Sequence, residues 1–193
     1  MLEEYYRKRD LAKTPEPAGS IEEQEQTKDN NIHALRFVVQ KHDASRLHYD
    51  FRLESKNEGV LKSWAVPKGI SLDPNIKRLA ILTEDHPIDY LLFEGIIPKG
   101  NYGAGTVIVW DTGTYIIEDQ DIHNQFIKGK IVFFLSGQKL KGRFSLVKTS
   151  KENQWLLIKV NDEFVSKEDL GVSKPDSVLS GRNNNDLQEA TNK

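Results

Sequence analysis

Arg46-Leu47-His48-Tyr49-Asp50-Phe51-Arg52-Leu53-Glu54 alternates with a period of two. Leu47, Tyr49, Phe51 and Leu53 take the odd positions, and His48, Asp50 and Arg52 take the even ones. Successive side chains of a β-strand point to opposite faces, so this pattern predicts a half-buried strand. One face is apolar. The other presents an imidazole, a carboxylate and a guanidinium in a row. Imidazole nitrogen and carboxylate oxygen suit Mn, Fe or Zn better than Ca or Mg. The guanidinium of Arg52 is either a fork for phosphate oxygens or a salt-bridge partner of Asp50 or Glu54.

Leu35–Lys41, just upstream, reads as a second strand, and the Asp43-Ala44-Ser45 turn makes the two a hairpin. His42 then lies across the turn and can supply a third ligand. Three protein ligands leave positions open for water or substrate, as a catalytic metal needs. Further strands are expected at Ser63–Val66, Arg78–Thr83, Asp89–Gly95, Gly105–Trp110, Thr114–Ile117, Lys130–Leu135, Gly142–Lys148 and Gln154–Lys159. Turn signals separate them, including Pro67-Lys68-Gly69, Pro98-Lys99-Gly100-Asn101 and Asp111-Thr112-Gly113. Many short strands at this spacing indicate an all-β sandwich or barrel. Helix is expected only at Asp121–Ile127 and Asn185–Ala190. Trp64, Trp110 and Trp155 read as core. The glycines of Phe93–Gly105 do not fit a Walker loop, and the segment reads as a tight β connection.

Composition bounds the partners. The 193 residues suffice for one sizeable core. A formal net charge of -2 confines any nucleic-acid contact to a local basic patch. The absence of cysteine excludes disulfides, thiolate zinc sites and cysteine nucleophiles. No apolar stretch follows the N-terminus, so no secretory signal is expected, and no segment approaches the roughly 20 apolar residues of a membrane span. Residues 1–34 have the composition of a disordered arm, residues 35–170 form the β domain, and residues 171–193 are expected to be a loosely held polar tail.

His86 in Asp85-His86-Pro87 precedes a proline, so its backbone is extended or in a turn. It could bind phosphate as a cation, act as a general acid, or be a turn histidine without a role. His48-x-Asp50 with the distant His86 also fits the 2-His-1-carboxylate iron site of a non-haem oxygenase.

Several motifs resemble, in order, the 3′-phosphoesterase module of bacterial DNA ligase D. They are Arg36-Phe37-Val38-Val39-Gln40-Lys41-His42-Asp43 continuing through Leu53, Ser63-Trp64-Ala65-Val66-Pro67-Lys68-Gly69, His86-Pro87-Ile88-Asp89-Tyr90, and Phe93–Tyr115. The resemblance runs from Tyr5 to Ile158. It implies a β-barrel of about eight strands with a small helical crown. It also implies a manganese-dependent enzyme, other divalent transition metals being alternatives, that removes 3′-terminal ribonucleotides and 3′-phosphates from broken DNA. The products are 3′-hydroxyl ends. Carried over by position, the metal ligands are His42, His48 and Asp50, the phosphate contacts are Arg52 and His86, and Tyr90 is an essential side chain. Arg9, Asp10 and Glu16 match an N-terminal arm of the family, which implies that the arm folds over the site. Gln40, on the even face with His42, is a further candidate. One ligand cluster implies one metal. With no adenylylating lysine motif, the chain is expected to stand alone, to rely on separate polymerase and ligase enzymes, and to act in the cytoplasm at breaks in the nucleoid. The attacking oxygen is left as water or the ribose 2′-hydroxyl. A DNA-end binding module without chemistry is the other reading of the same resemblance.

Overall fold

The computed structural model describes residues 2–19, 35–117 and 122–191. β1 (Leu35–Asp43) and β2 (Leu47–Ser55) form the expected antiparallel hairpin. β3 (Val60–Val66), β4 (Lys77–Leu82), β5 (His86–Pro87), β6 (Gly95–Ile97), β7 (Gly105–Ile117), β8 (Lys130–Gly137), β9 (Lys141–Lys148) and β10 (Gln154–Lys159) follow. Pairing runs β1-β2-β3-β4-β10-β9-β8-β7, and β7 returns to β1. Eight of the described strands thus close a barrel, which removes the free edges of an open sheet. β5 pairs with β3, and β6 with the start of β7. Among the described residues there are four short α-helices: α1 (Glu3–Lys8), α2 (Ile122–Lys128), α3 (Leu170–Ser173) and α4 (Asn184–Thr191). The expected start of α2 at Asp121 lies outside the described residues. No described helix is long and apolar enough to cross a membrane.

Alternation sorts the core. Phe37, Val39, Tyr49, Phe51 and Leu53 of the first hairpin join Trp64, Trp110 and Trp155 in one buried cluster. Phe51 stacks on Phe133 at 5.7 Å between ring centroids, and Trp64 meets Trp155 edge-on at 5.8 Å. Leu47, at the strand's start, is the exception on this face and is exposed. A second cluster covers the opposite face of the hairpin and its neighbours. Val38, Leu61, Val107 and Val109 pack there against Tyr5, Tyr90, Leu91 and Phe93.

Two expectations are corrected. Gly105–Trp110 and Thr114–Ile117 belong to one 13-residue strand, and Asp111-Thr112-Gly113 is not a turn. A register shift at Val39/Gln40 lets β7 carry an extra residue against β1, so its buried set changes parity from Trp110 to Tyr115 and Ile117. That bulge breaks the alternation that sequence reading relies on. Gly113 is there for close approach: a Cβ would stand 2.2 Å from the Ser136 carbonyl oxygen. The expected strand Asp89–Gly95 is a 3-10 helix over Ile88–Leu92. Pro87, at φ -66, sets its entry, and a short apolar run cannot by itself distinguish helix from strand.

The segment after Asp169 is tied to the barrel rather than loosely held. Trp110 Nε1 donates to the Lys174 carbonyl at 2.8 Å, the Val178 N–H donates to the Val109 carbonyl at 2.9 Å, and Ser177 Oγ bonds Glu94. Buried Asn184 donates to the carbonyls of Lys41 and Thr106.

Phe51→Ala removes the ring at the centre of this core and should cost about 3–5 kcal/mol. Urea denaturation followed by tryptophan fluorescence measures the loss.

Candidate metal centre

Register puts the polar side chains together. In the β1–β2 ladder His42 faces His48, Gln40 faces Asp50 and Val38 faces Arg52. Directly opposed residues share a face, so the two strands deliver one patch. The imidazoles of His42 and His48 lie 4.7 Å apart between centroids. One ligand atom from each of His42, His48 and Asp50 falls within 4.8 Å of the others.

Hydrogen bonds fix which nitrogen each imidazole offers. His42 Nε2 is 2.8 Å from the Gly103 carbonyl, and His48 Nδ1 is 2.9 Å from the Arg46 carbonyl. A carbonyl only accepts, so these nitrogens carry the protons. The remaining nitrogens, His42 Nδ1 and His48 Nε2, face Asp50 at 3.5 and 3.6 Å. Two imidazole lone pairs and a carboxylate then converge without a proton between them at those distances. Ligand atoms about 2.1 Å from one ion stand roughly 3–3.5 Å apart, close to these two nitrogen–oxygen distances, and the nitrogen and oxygen donors suit a divalent transition metal. Carbonyl partners of this kind are the outer contacts that orient histidines for metal binding. Gly103 reaches its position at φ +73, a conformation that glycine adopts without strain.

Asp50 is buried, which alone would raise its pKa, but the Arg52 guanidinium beside it holds it well below the usual carboxylate range. Arg52 spends its Nε on Gln40 Oε1 at 2.8 Å and its Nη2 on Asp50 at 3.1 Å, and its guanidinium lies 4.8 Å from the Tyr90 ring centroid. Glu54, the other partner considered, pairs with Arg36 instead. Gln40 is buried and donates to the carbonyls of Tyr90 and Phe93 at 3.0 and 2.9 Å. It therefore locks Arg52 to the 3-10 helix.

His86 stands between two arginines. Its Nδ1 lies 2.9 Å from the Glu84 carbonyl and 3.0 Å from Arg52 Nη1, and its Nε2 lies 3.2 Å from Arg9 Nη2. One tautomer satisfies the flanking pair: Nδ1–H donates to Glu84, and Nε2 accepts from Arg9. The Nη1–H of Arg52 that faces the ring then gains no acceptor from the imidazole. Burial, Arg52 and Arg9 together hold the His86 pKa well below its ordinary value, so the ring is neutral. His86 is thus not grouped with His48 and Asp50, as the iron-triad reading requires.

The N-terminal arm closes over this patch. Arg9 pairs with Glu16 at 2.8 Å and with Glu84 at 2.8 Å, all three side chains being buried. Glu16 also accepts from Tyr90 Oη at 2.7 Å. Burial, then Glu16, raises the Tyr90 pKa far above normal, so its hydroxyl stays a donor. Asp10 is not brought to the patch: it is exposed and pairs with Lys13 at 2.7 Å. Arg9 sits in extended backbone, where neighbouring side chains point opposite ways, and Arg9 takes the inward direction. Sequence reading missed Glu84 and Tyr5. Glu84 holds Arg9 and Lys8, while Tyr5 lies under the Arg9 guanidinium at 4.1 Å. The Glu84-x-His86 spacing on extended backbone was the available signal for Glu84.

The class defined here is a closed antiparallel barrel with a His-His-Asp cluster that could hold a metal, beside buried arginines on the outer face of the strands. Residues 40–148 match the family model described as the DNA Ligase D 3'-phosphoesterase domain, and the chain belongs to this family. It is 52% identical over 187 residues to the multifunctional non-homologous end joining protein LigD of Pseudomonas aeruginosa, covering 94% of this chain and 21% of that protein. It is 44% identical over 162 residues to LigD of Mycobacterium bovis and 43% over 167 residues to that of Mycolicibacterium smegmatis, each match covering 84% of this chain. The chain spans about a fifth of the length of these relatives.

His48→Ala should weaken Mn²⁺ binding by more than about 100-fold, since loss of even an outer contact costs 10–100-fold, while cooperative melting persists. Titration calorimetry measures this without reference to turnover. His86 is neutral in the fold but titrates near 6.5 when unfolded, so its contribution to stability is complete above that pH and is lost as pH falls. The urea midpoint should drop between about pH 7.5 and 5.5, and His86→Gln should flatten that slope.

Proposed function

We propose that the chain is a metal-dependent hydrolase that heals DNA 3′ ends, removing a 3′-terminal ribonucleotide as a phosphodiesterase and a 3′-phosphate as a phosphomonoesterase. The observation carrying this reading is the pair of sites side by side. Two oriented imidazole lone pairs and the Asp50 carboxylate converge, and a spare Arg52 N–H stands one strand step away. The first suits a cation, and the second suits a phosphate oxygen. His42, His48 and Asp50 would hold a single Mn²⁺ or related ion, which when bound supplies Lewis-acid activation at the phosphorus centre.

The remaining roles belong to the chain's own groups. Arg52, fixed by Gln40, Asp50 and Tyr90, stabilises negative charge as it develops on the non-bridging oxygens. A phosphate beside Arg52 opposes the positive field that keeps His86 neutral. The imidazole therefore gains proton affinity as substrate binds, and by taking a proton on Nε2 in place of the Arg9 hydrogen bond it serves as a cationic contact or acid. Arg9, committed to Glu16, Glu84 and His86, positions that imidazole and clamps the arm. Tyr90 and Glu16 join the arm to the 3-10 helix. A 3′-hydroxyl is what a polymerase extends and a ligase seals. Those activities are therefore the partners this reading implies, and DNA breaks in the cytoplasm are the place of action.

The test is a primer–template bearing one 3′-terminal ribonucleotide, incubated with Mn²⁺ or with chelator, its products resolved by length and end chemistry. The expected outcome is a shortened primer ending in a 3′-hydroxyl, formed only with metal and lowered by about 10²–10³ in Arg52→Ala. Undiminished cleavage under chelation, or binding without product, contradicts the reading. A terminal 2′-deoxy control reports whether the 2′-hydroxyl participates.

A further inference from the structure

The loop between β6 and β7 contributes an aromatic ring that the chemistry above does not use. Tyr102 is 47% exposed. Its neighbour Gly103 gives the carbonyl that fixes His42, and consecutive Cα atoms are about 3.8 Å apart, so the ring is anchored beside the ligand set. On another side, Lys8 Nζ lies 4.9 Å and Arg9 Cζ 5.3 Å from the ring centroid. Both cations also hold Glu84, whose carbonyl accepts from His86. Tyr102 therefore sits where the metal-ligand loop, the arm and the anion pocket meet, with about half its surface open.

Proteins that hold single-stranded ends combine cations for the backbone with aromatic faces for the bases. We propose that Tyr102 is the platform on which the nucleobase of the 3′-terminal nucleotide stacks, while its phosphate lies at the His42–His48–Asp50 cluster that Gly103 joins to this loop. This rests on the 3′-end reading above. Every base has a π-face, so the platform accepts all four bases and positions the end without reading sequence. The flanking Lys8 and Arg9 orient the ring through its π-system.

The test uses two duplexes that differ only at the 3′-terminal ribonucleotide, one with its base and one whose terminal ribose carries none. Binding is measured by fluorescence anisotropy under chelation, and turnover is measured with Mn²⁺. Wild type should bind the base-bearing end about tenfold more tightly. Tyr102→Ala should bind both ends alike, with KM raised for the base-bearing end more than kcat is lowered, and Tyr102→Trp should restore the discrimination. A Tyr102→Ala protein that keeps the preference, or weakens both ends equally, overturns the platform. So does a wild type indifferent to the base, even if it shortens the primer. Base-dependent binding lost in Tyr102→Ala but without any product overturns the hydrolytic reading and leaves the platform standing.

Discussion

The pairing register of β1 and β2 is the constraint on which the site depends. It sets His42 opposite His48 and Gln40 opposite Asp50. Side chains alternate with a strict period of two, so a slip of one residue would turn His48, Asp50 and Arg52 into the barrel interior and Tyr49, Phe51 and Leu53 outward. The buried aromatic cluster therefore does more than stabilise the fold. By holding Phe37, Val39, Tyr49 and Phe51 inside, it holds the ligands outside and in line.

A patch of buried charge then has to be made tolerable. Arg52, Arg9, Asp50, Glu16 and Glu84 are all largely withdrawn from water, and removing one member of such a pair typically costs about 3–5 kcal/mol. Each charge finds opposite charge and hydrogen bonds within the same network, and the arm supplies Arg9 and Glu16 to it. The arm is consequently part of the charge network itself. The network still leaves an Arg52 N–H facing an imidazole N–H.

Much of this was legible in the sequence, and the reasons for success and failure are physical. The hairpin was readable because Arg46–Glu54 keeps perfect alternation, and the three tryptophans are core as expected. The length of β7 was not readable, because a bulge breaks its alternation and Gly113 serves close packing rather than a turn. The 3-10 helix was hidden in a short apolar run. The arm reads as disordered by composition, since Arg9, Glu16 and Tyr5 become buried only through partners far along the chain. Arg9 and Glu16 were singled out by family resemblance alone. Gly103 acts through a carbonyl set by tertiary contacts, and no local pattern marks it. Asp10 fits the family's motif but not the geometry, because extended backbone directs it away from its neighbour Arg9.

The most direct measurement is pulsed electron paramagnetic resonance of the Mn²⁺-loaded chain, which counts nitrogen nuclei coupled to the ion. The account predicts coupling to two imidazole nitrogens, reduced to one in either single histidine variant at positions 42 and 48. An ion coupled to no nitrogen, or one unaffected by both substitutions, would contradict it.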